Sequence, residues 1–290
     1  MTAAASPQAD VPGRAGGQLP ACAALKRRRD LRHTRPAGAW VSLSVVDLSF
    51  SDTRLAALYD RLHPLSEPER GFYLPIIMQA GSVLDVGCGT GALLHAARRA
   101  GHAGRLCGLD PAAAMLARAR ARPDIEWLCG DLAATRYADE FDLVVMTGHA
   151  FQTLVEDHEV RAALAAVRGA LRAHGRFVFE TRNPSARAWE GWTSRTPTEV
   201  LDATGTRVQV SRRVETPFDG RTVCFSETFV GDGWERSLTS RSTLRFLDAT
   251  ALSGFLGEAR LAIEAQFGDF SRQPLTPASP EIITLARVAA

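Results

Sequence analysis

The chain has 290 residues, 46% of them hydrophobic, and 34 basic residues face 32 acidic ones for a net charge of +2. Such a length and apolar fraction suit one α/β domain with an elaboration. The near-neutral balance argues against a protein that binds nucleic acid over its whole surface, and without a run of about 18 apolar residues no membrane span is expected.

Residues 1–49 are rich in Ala, Gly, Pro and Arg and lack an apolar period, so they are expected to form a disordered basic tail. Its basic cluster, Lys26–Arg29 and Arg32–Arg35, reads as a solvated tail or as residues upstream of the natural start, with a nucleic-acid patch or targeting element as the alternative. The folded part is expected over 50–290. Asp52 followed by Thr53-Arg54-Leu55-Ala56-Ala57-Leu58-Tyr59-Asp60 reads as a capped helix.

Val83-Leu84-Asp85-Val86-Gly87-Cys88-Gly89-Thr90-Gly91 is the most informative stretch. A short apolar run ends in an acid, and three glycines follow at alternate positions. This is a buried strand entering a tight turn that opens a helix, and the free N–H groups of that helix face whatever lies on the loop. Gly87, Gly89 and Ala92 also satisfy the looser dinucleotide fingerprint. Asp85 tells against a pyrophosphate there and suits a cationic ligand. Asp110 closes the next apolar run, where it can accept two ribose hydroxyls, and Asp131 follows a third run.

Further along, strands are expected at 82–86, 105–109, 125–129, 141–146 and 176–180. Helices are expected near 91–100, 112–121 and 157–173, with Gly175 terminating the last. This alternation implies a parallel sheet with helices on both faces and ligands at the carboxyl ends of its strands. After Asn183-Pro184 the period changes to 2, and Arg207–Val210, Thr222–Val230 and Trp234–Ser242 alternate apolar with polar residues. An antiparallel β insertion over about 200–246 follows from that pattern. A helix at about 248–258 and strands at Leu261–Phe267 and Ile282–Ala286 complete the chain. Five cysteines, Cys22, Cys88, Cys107, Cys129 and Cys224, form no C-x-x-C pair. They are read as small buried residues of a reducing, cytoplasmic protein, and no metal site is legible.

These motifs resemble the class I S-adenosylmethionine-dependent methyltransferases. Asp85–Gly91 is similar to that family's first motif, Leu109-Asp110-Pro111 to the acidic end of its second strand, and Cys129-Gly130-Asp131-Leu132 to its adenine loop. Phe141–Met146 and Leu171–Glu180 resemble its fourth and fifth strands. The resemblance implies a Rossmann-like, doubly wound, mostly parallel seven-stranded sheet with an antiparallel β insertion after strand five, and a last strand that runs antiparallel. It also implies S-adenosyl-L-methionine as cofactor and S-adenosyl-L-homocysteine as product. Asp85, Gly87, Cys88, Gly89, Gly91, Asp110, Pro111, Gly130, Asp131, Leu132 and Thr147 are the candidate cofactor residues.

Methyl transfer from a sulfonium is an in-line displacement in which the protein mainly positions and desolvates, with a base where the acceptor carries a proton. His149, after the fourth strand, is the candidate base; its alternative role is a hydrogen bond to the loop or cofactor. Phe151, Glu180, Arg182 and Asn183 are candidate acceptor contacts, with a structural network as the alternative for the last three. Tyr59 and Tyr73 are candidate lid or pocket residues, or ordinary packing. The Asn/Asp-Pro-Pro-aromatic loop of base and glutamine methyltransferases is absent from Thr147–Phe151. The leading expectation is a small-molecule acceptor methylated on O or N. The alternatives are an RNA or protein methyltransferase recruited by the basic tail, a noncatalytic protein that binds the cofactor, and, most remotely, a nicotinamide oxidoreductase.

Overall fold

The computed structural model describes residues 46–289. The tail expected over 1–49 therefore lies outside the described residues up to 45. Its last residues belong to the fold. Helix α1 (Leu48–Ser51) buries Ser49, whose N–H donates to Ser240 Oγ at 2.9 Å, and Asp47 accepts from the Ser242 hydroxyl. Helix α2 (Thr53–Leu62) starts at Asp52, which accepts from the Arg54 and Leu55 N–H groups. Helix α3 (Glu67–Met78), absent from the sequence expectation, opens with a capping box in which Ser66 and Glu69 satisfy each other's backbone N–H.

Strands and helices then alternate: β1 (Ser82–Val86), α4 (Ala92–Arg99), β2 (Arg105–Asp110), α5 (Ala113–Ala119), β3 (Glu126–Cys129), β4 (Phe141–Met146), α6 (Asp157–Ala170) and β5 (Leu171–Arg182). Strands β6 (Thr198–Leu201), β7 (Arg207–Thr216), β8 (Thr222–Gly231) and β9 (Leu238–Arg245) follow, then α7 (Ala249–Glu258), β10 (Leu261–Phe267) and β11 (Glu281–Val288). Among the described residues there are two sheets. The larger has seven strands in the order β10-β11-β5-β4-β1-β2-β3, and β6-β7-β8-β9 form an antiparallel sheet of four. In the larger sheet β11 alone runs against the rest, because it pairs antiparallel with both β5 and β10. The expected fold class is the observed one.

Strand β7 runs on to Thr216, six residues past the expected segment, and two other boundaries differ for clear reasons. Helix α6 stops at Ala170 because Leu171, completely buried, pairs with Phe141 of β4, so Gly175 lies inside β5 and caps nothing. The pairing then jumps to Leu143 with Arg176, leaving 172–175 as an irregular bulge. Strand β9 begins at Leu238 rather than at 234, since Gly233 turns the chain at φ +75° and Trp234 folds back over Gly231.

Both faces of the main sheet are covered. On one, Val160, Leu164 and Val167 of α6 and Leu252 and Leu256 of α7 pack on Leu84, Val144, Phe177 and Phe179. On the other, Phe72, Tyr73 and Ile77 of α3 and Leu93 and Leu94 of α4 pack on Val83, Leu106 and Val145. A third cluster joins Leu55 and Leu58 of α2 to Val208, Val210, Phe229 and Leu238 of the small sheet. That contact holds α2 beside the carboxyl ends of the parallel strands. No described helix is long and apolar enough to cross a membrane.

Candidate functional site

The glycine loop leaves β1 under tight steric control. Gly87 has φ +71°, and a Cβ there would come within 2.8 Å of the Ala150 Cβ. Gly91, at φ +78°, starts α4, and a Cβ there would lie 2.4 Å from the Trp127 ring. Only glycine accepts both the conformation and the approach. Trp127 was not foreseen as a site residue, yet it fills the space beneath the loop and also sits against Gly108. The Cys88 side chain turns into a small cluster with Leu116 and Ala119, so only its backbone faces the loop.

Asp110 receives the Gly89 N–H at 2.8 Å and the Ala112 N–H at 2.7 Å, one on each carboxylate oxygen. Burial raises its pKa, and those two hydrogen bonds oppose the rise. Asp85, only 1% exposed, has no partner for Oδ1. Burial, reinforced by the Asp110 and Glu180 charges, pushes it up to about 8. At the end of β3, Gly130 N–H bonds the Asp110 carbonyl, exposed Asp131 accepts from the Ala133 N–H, and Leu132 is buried. Pro111 follows Asp110, and Thr147 follows β4.

These features fit S-adenosylmethionine. A buried carboxyl with an orphaned oxygen suits a cationic ligand, the glycine turn lets a ligand lie against backbone N–H groups, and Asp110 keeps lone pairs for ribose hydroxyls.

The loop after β4 forms the facing wall. His149 adopts a left-handed backbone at φ 61°, and its N–H donates to Glu180 Oε1 at 3.0 Å. Its Nε2 lies 3.0 and 3.1 Å from the two carboxylate oxygens of Glu281, an acid missing from the sequence-based set. No local spacing or motif marks Glu281, because only the antiparallel course of β11 brings residue 281 opposite Arg182. Glu180 is wholly buried, also accepts from the Tyr73 hydroxyl, and has its pKa raised by burial. Tyr73 is thereby part of the core beneath the loop rather than of the cleft wall.

Tyr59 of α2 stands over the cleft. Its hydroxyl is 3.9 Å from the position of a Cβ on Gly148, and burial, followed by the Asp110 and Asp60 charges, pushes its pKa up to about 12. Asp60, next to it, accepts from Thr90 Oγ1 of the glycine loop at 2.5 Å, which ties α2 to that loop. Arg182 donates to Gln152 Oε1 at 3.1 Å and lies 5.2 Å over the Trp192 ring. From the small sheet, Arg212 pairs with Glu227 at 2.6 Å and also lies over Trp192, at 5.9 Å.

Besides Tyr73 and the wholly buried Glu180, two more expected contacts do not reach this cleft. Phe151 stacks on Phe179 in the core at 4.6 Å. Asn183 spends its amide on the Thr276 and Ser279 carbonyls and on the Ser185 N–H, fastening the end of β5 to the loop before β11.

Residues 83–175 match the model of a methyltransferase domain. The chain is 39% identical over 116 residues to the 2-phytyl-1,4-naphtoquinone methyltransferase of Thermosynechococcus vestitus, a match that covers 36% of this chain. It spans about half, 51%, of the length of that curated relative. Among solved structures, the CcbJ methyltransferase of Streptomyces caelestis superposes with a TM-score of 0.66 at 18% identity, over 82% of this chain and 97% of that one. CalS10 of Micromonospora echinaspora, an amino pentose methyltransferase solved with S-adenosylmethionine bound, gives 0.57 at 24% identity over 76% and 90%. At these identities the structural likenesses establish the fold.

Proposed function

We propose, from the premise that this chain carries a methyltransferase domain of the class I S-adenosylmethionine-dependent family, that it methylates an oxygen or nitrogen of a small-molecule acceptor. The observation that carries this reading is the enclosure of the strand ends. Helix α2 and the small sheet bring Tyr59, Arg212 and Glu227 over His149 and Arg182, which favours a compact acceptor over a polymer.

The cofactor, when bound, supplies a methyl group already activated by its sulfonium charge. The protein's own residues then do four things. Asp110 holds hydroxyls. Asp85, once ionised, offers the buried negative charge that a cationic ligand needs. Helix α2, latched by Asp60 to Thr90, excludes water. His149, whose Nε2–H is held by the Glu281 carboxylate, takes the acceptor's proton at Nδ1 or holds the acceptor in line. A base aligned by a carboxylate is the arrangement that favours the first of these roles.

Calorimetric titration with S-adenosylhomocysteine, with NADH in parallel, tests the reading. Micromolar binding of the first and none of the second is expected. Binding of NADH alone would overturn it.

A further inference from the structure

Arg182 is a partly buried cation whose neighbouring carboxylates are already engaged. Glu281 lies opposite it in the β5–β11 register but meets His149 instead, and Glu180 meets the Tyr73 hydroxyl and the His149 N–H. Among the described residues Arg182 forms no ion pair, and its side chain donates only to the neutral Gln152 Oε1. That amide is itself fixed. Gln152 is 1% exposed, its Nε2 donates to the Arg245 carbonyl at 2.9 Å, and its Oε1 also receives the Arg182 backbone N–H. The Trp192 face covers the guanidinium from the other direction. A guanidinium offers five N–H donors in a planar fork suited to two-oxygen anions. Here the fork is held in place and no described carboxylate pairs with it. Burial is costly to this cation and lowers its pKa, while the charges of Glu281 and Glu180, neither in contact with the guanidinium, oppose that fall.

We infer that the methyl acceptor carries an anionic group, a carboxylate or a phosphate, and that Arg182 binds it against Trp192. This rests on the methyltransferase reading above and names the acceptor class for the same site. Glu281, opposite Arg182, contacts the His149 ring, so the anionic group and the methylated atom lie close together on a compact acceptor. Arg212, over the same Trp192 ring, is neutralised by Glu227 and so does not compete for the group.

The test uses the full chain saturated with S-adenosylhomocysteine and titrated calorimetrically with three probes: 4-aminobenzoate, 4-aminophenyl phosphate and uncharged 4-aminobenzamide. One of the two anions is expected to bind at least about tenfold tighter than the amide, the range for a charged hydrogen bond. Whichever anion does so identifies carboxylate or phosphate. R182Q is expected to erase the preference and R182K to retain part of it, while both keep wild-type affinity for S-adenosylhomocysteine. Equal binding of anions and amide by the wild type, or a preference that survives R182Q, overturns the inference. So does loss of S-adenosylhomocysteine affinity in a folded R182Q, because the guanidinium would then hold the cofactor's own carboxylate. If R182Q does not fold, an undiminished preference in R182K overturns it. Failure of the wild type to bind S-adenosylhomocysteine at the outset overturns the methyltransferase reading, and this inference with it.

Discussion

Asp85, proposed above to meet the cofactor's positive charge, carries a cost in stability. Its pKa rises from 3.8 to about 8 in the folded chain, chiefly through burial. A group raised in this way favours the folded state fully below its unfolded pKa, and that contribution is lost as pH climbs through the folded value. The apoprotein should therefore lose stability between about pH 4 and pH 8 at this residue. Asp85→Asn, which stays neutral, is expected to raise the thermal midpoint over the same window and to weaken S-adenosylmethionine binding. Thermal melts across pH, with calorimetry of the ligand, check both; an unchanged midpoint near pH 8 would remove Asp85 from the account. For Asp110→Ala, the loss of hydrogen bonds to a charged acceptor is expected to cost about 1–3 kcal/mol of S-adenosylhomocysteine affinity. Wild-type affinity in that variant would refute the ribose assignment.

At the scale of elements, the parallel half was legible because its signals are local. The apolar runs ending at Asp85, Asp110 and Met146 each mark a strand, and Gly87–Gly91 marks the turn between. Helix α3 was missed although Ser66, Glu67 and Glu69 spell a capping box, because Gly71 and Pro75 break its apolar period. The short edge strand β6 has no buried face to betray it. The site was legible where motif and strand end coincide and illegible where distant chain segments converge. Glu281 and Trp127 acquire their positions from sheet order. Phe151 was misread because an aromatic beside a strand end looks the same whether it faces cleft or core. Ser66→Ala is expected to cost about 1 kcal/mol by urea denaturation, the usual loss of an N-cap. Thr90→Val, which removes the latch to Asp60, is expected to raise KM for S-adenosylmethionine more than it lowers kcat; a change in kcat alone would show that the latch does not hold the closed helix.

Over the whole molecule, the small sheet contributes through α2. Phe229, 2% exposed, packs in the cluster that contains Leu55 and Leu58. Phe229→Ala is expected to cost about 3–5 kcal/mol of stability and to weaken S-adenosylhomocysteine binding, although it lies outside the glycine loop and the acidic strand ends. Denaturation and calorimetry on the same sample would separate these effects, and a destabilised variant with unchanged affinity would show that α2 is held independently of the small sheet. Strand β11 carries a different consequence. It is the last of the described strands, yet it lies between β10 and β5 rather than at an edge. During synthesis β10 emerges first and finds no neighbour, and β5 waits with an open hydrogen-bonding edge. Only when residues 281–288 leave the ribosome do both gain their partner and His149 its carboxylate. Completion of the sheet and completion of the site are thus one late event, and a nascent chain stalled before residue 281 would present an unpaired edge to chaperones and no assembled centre.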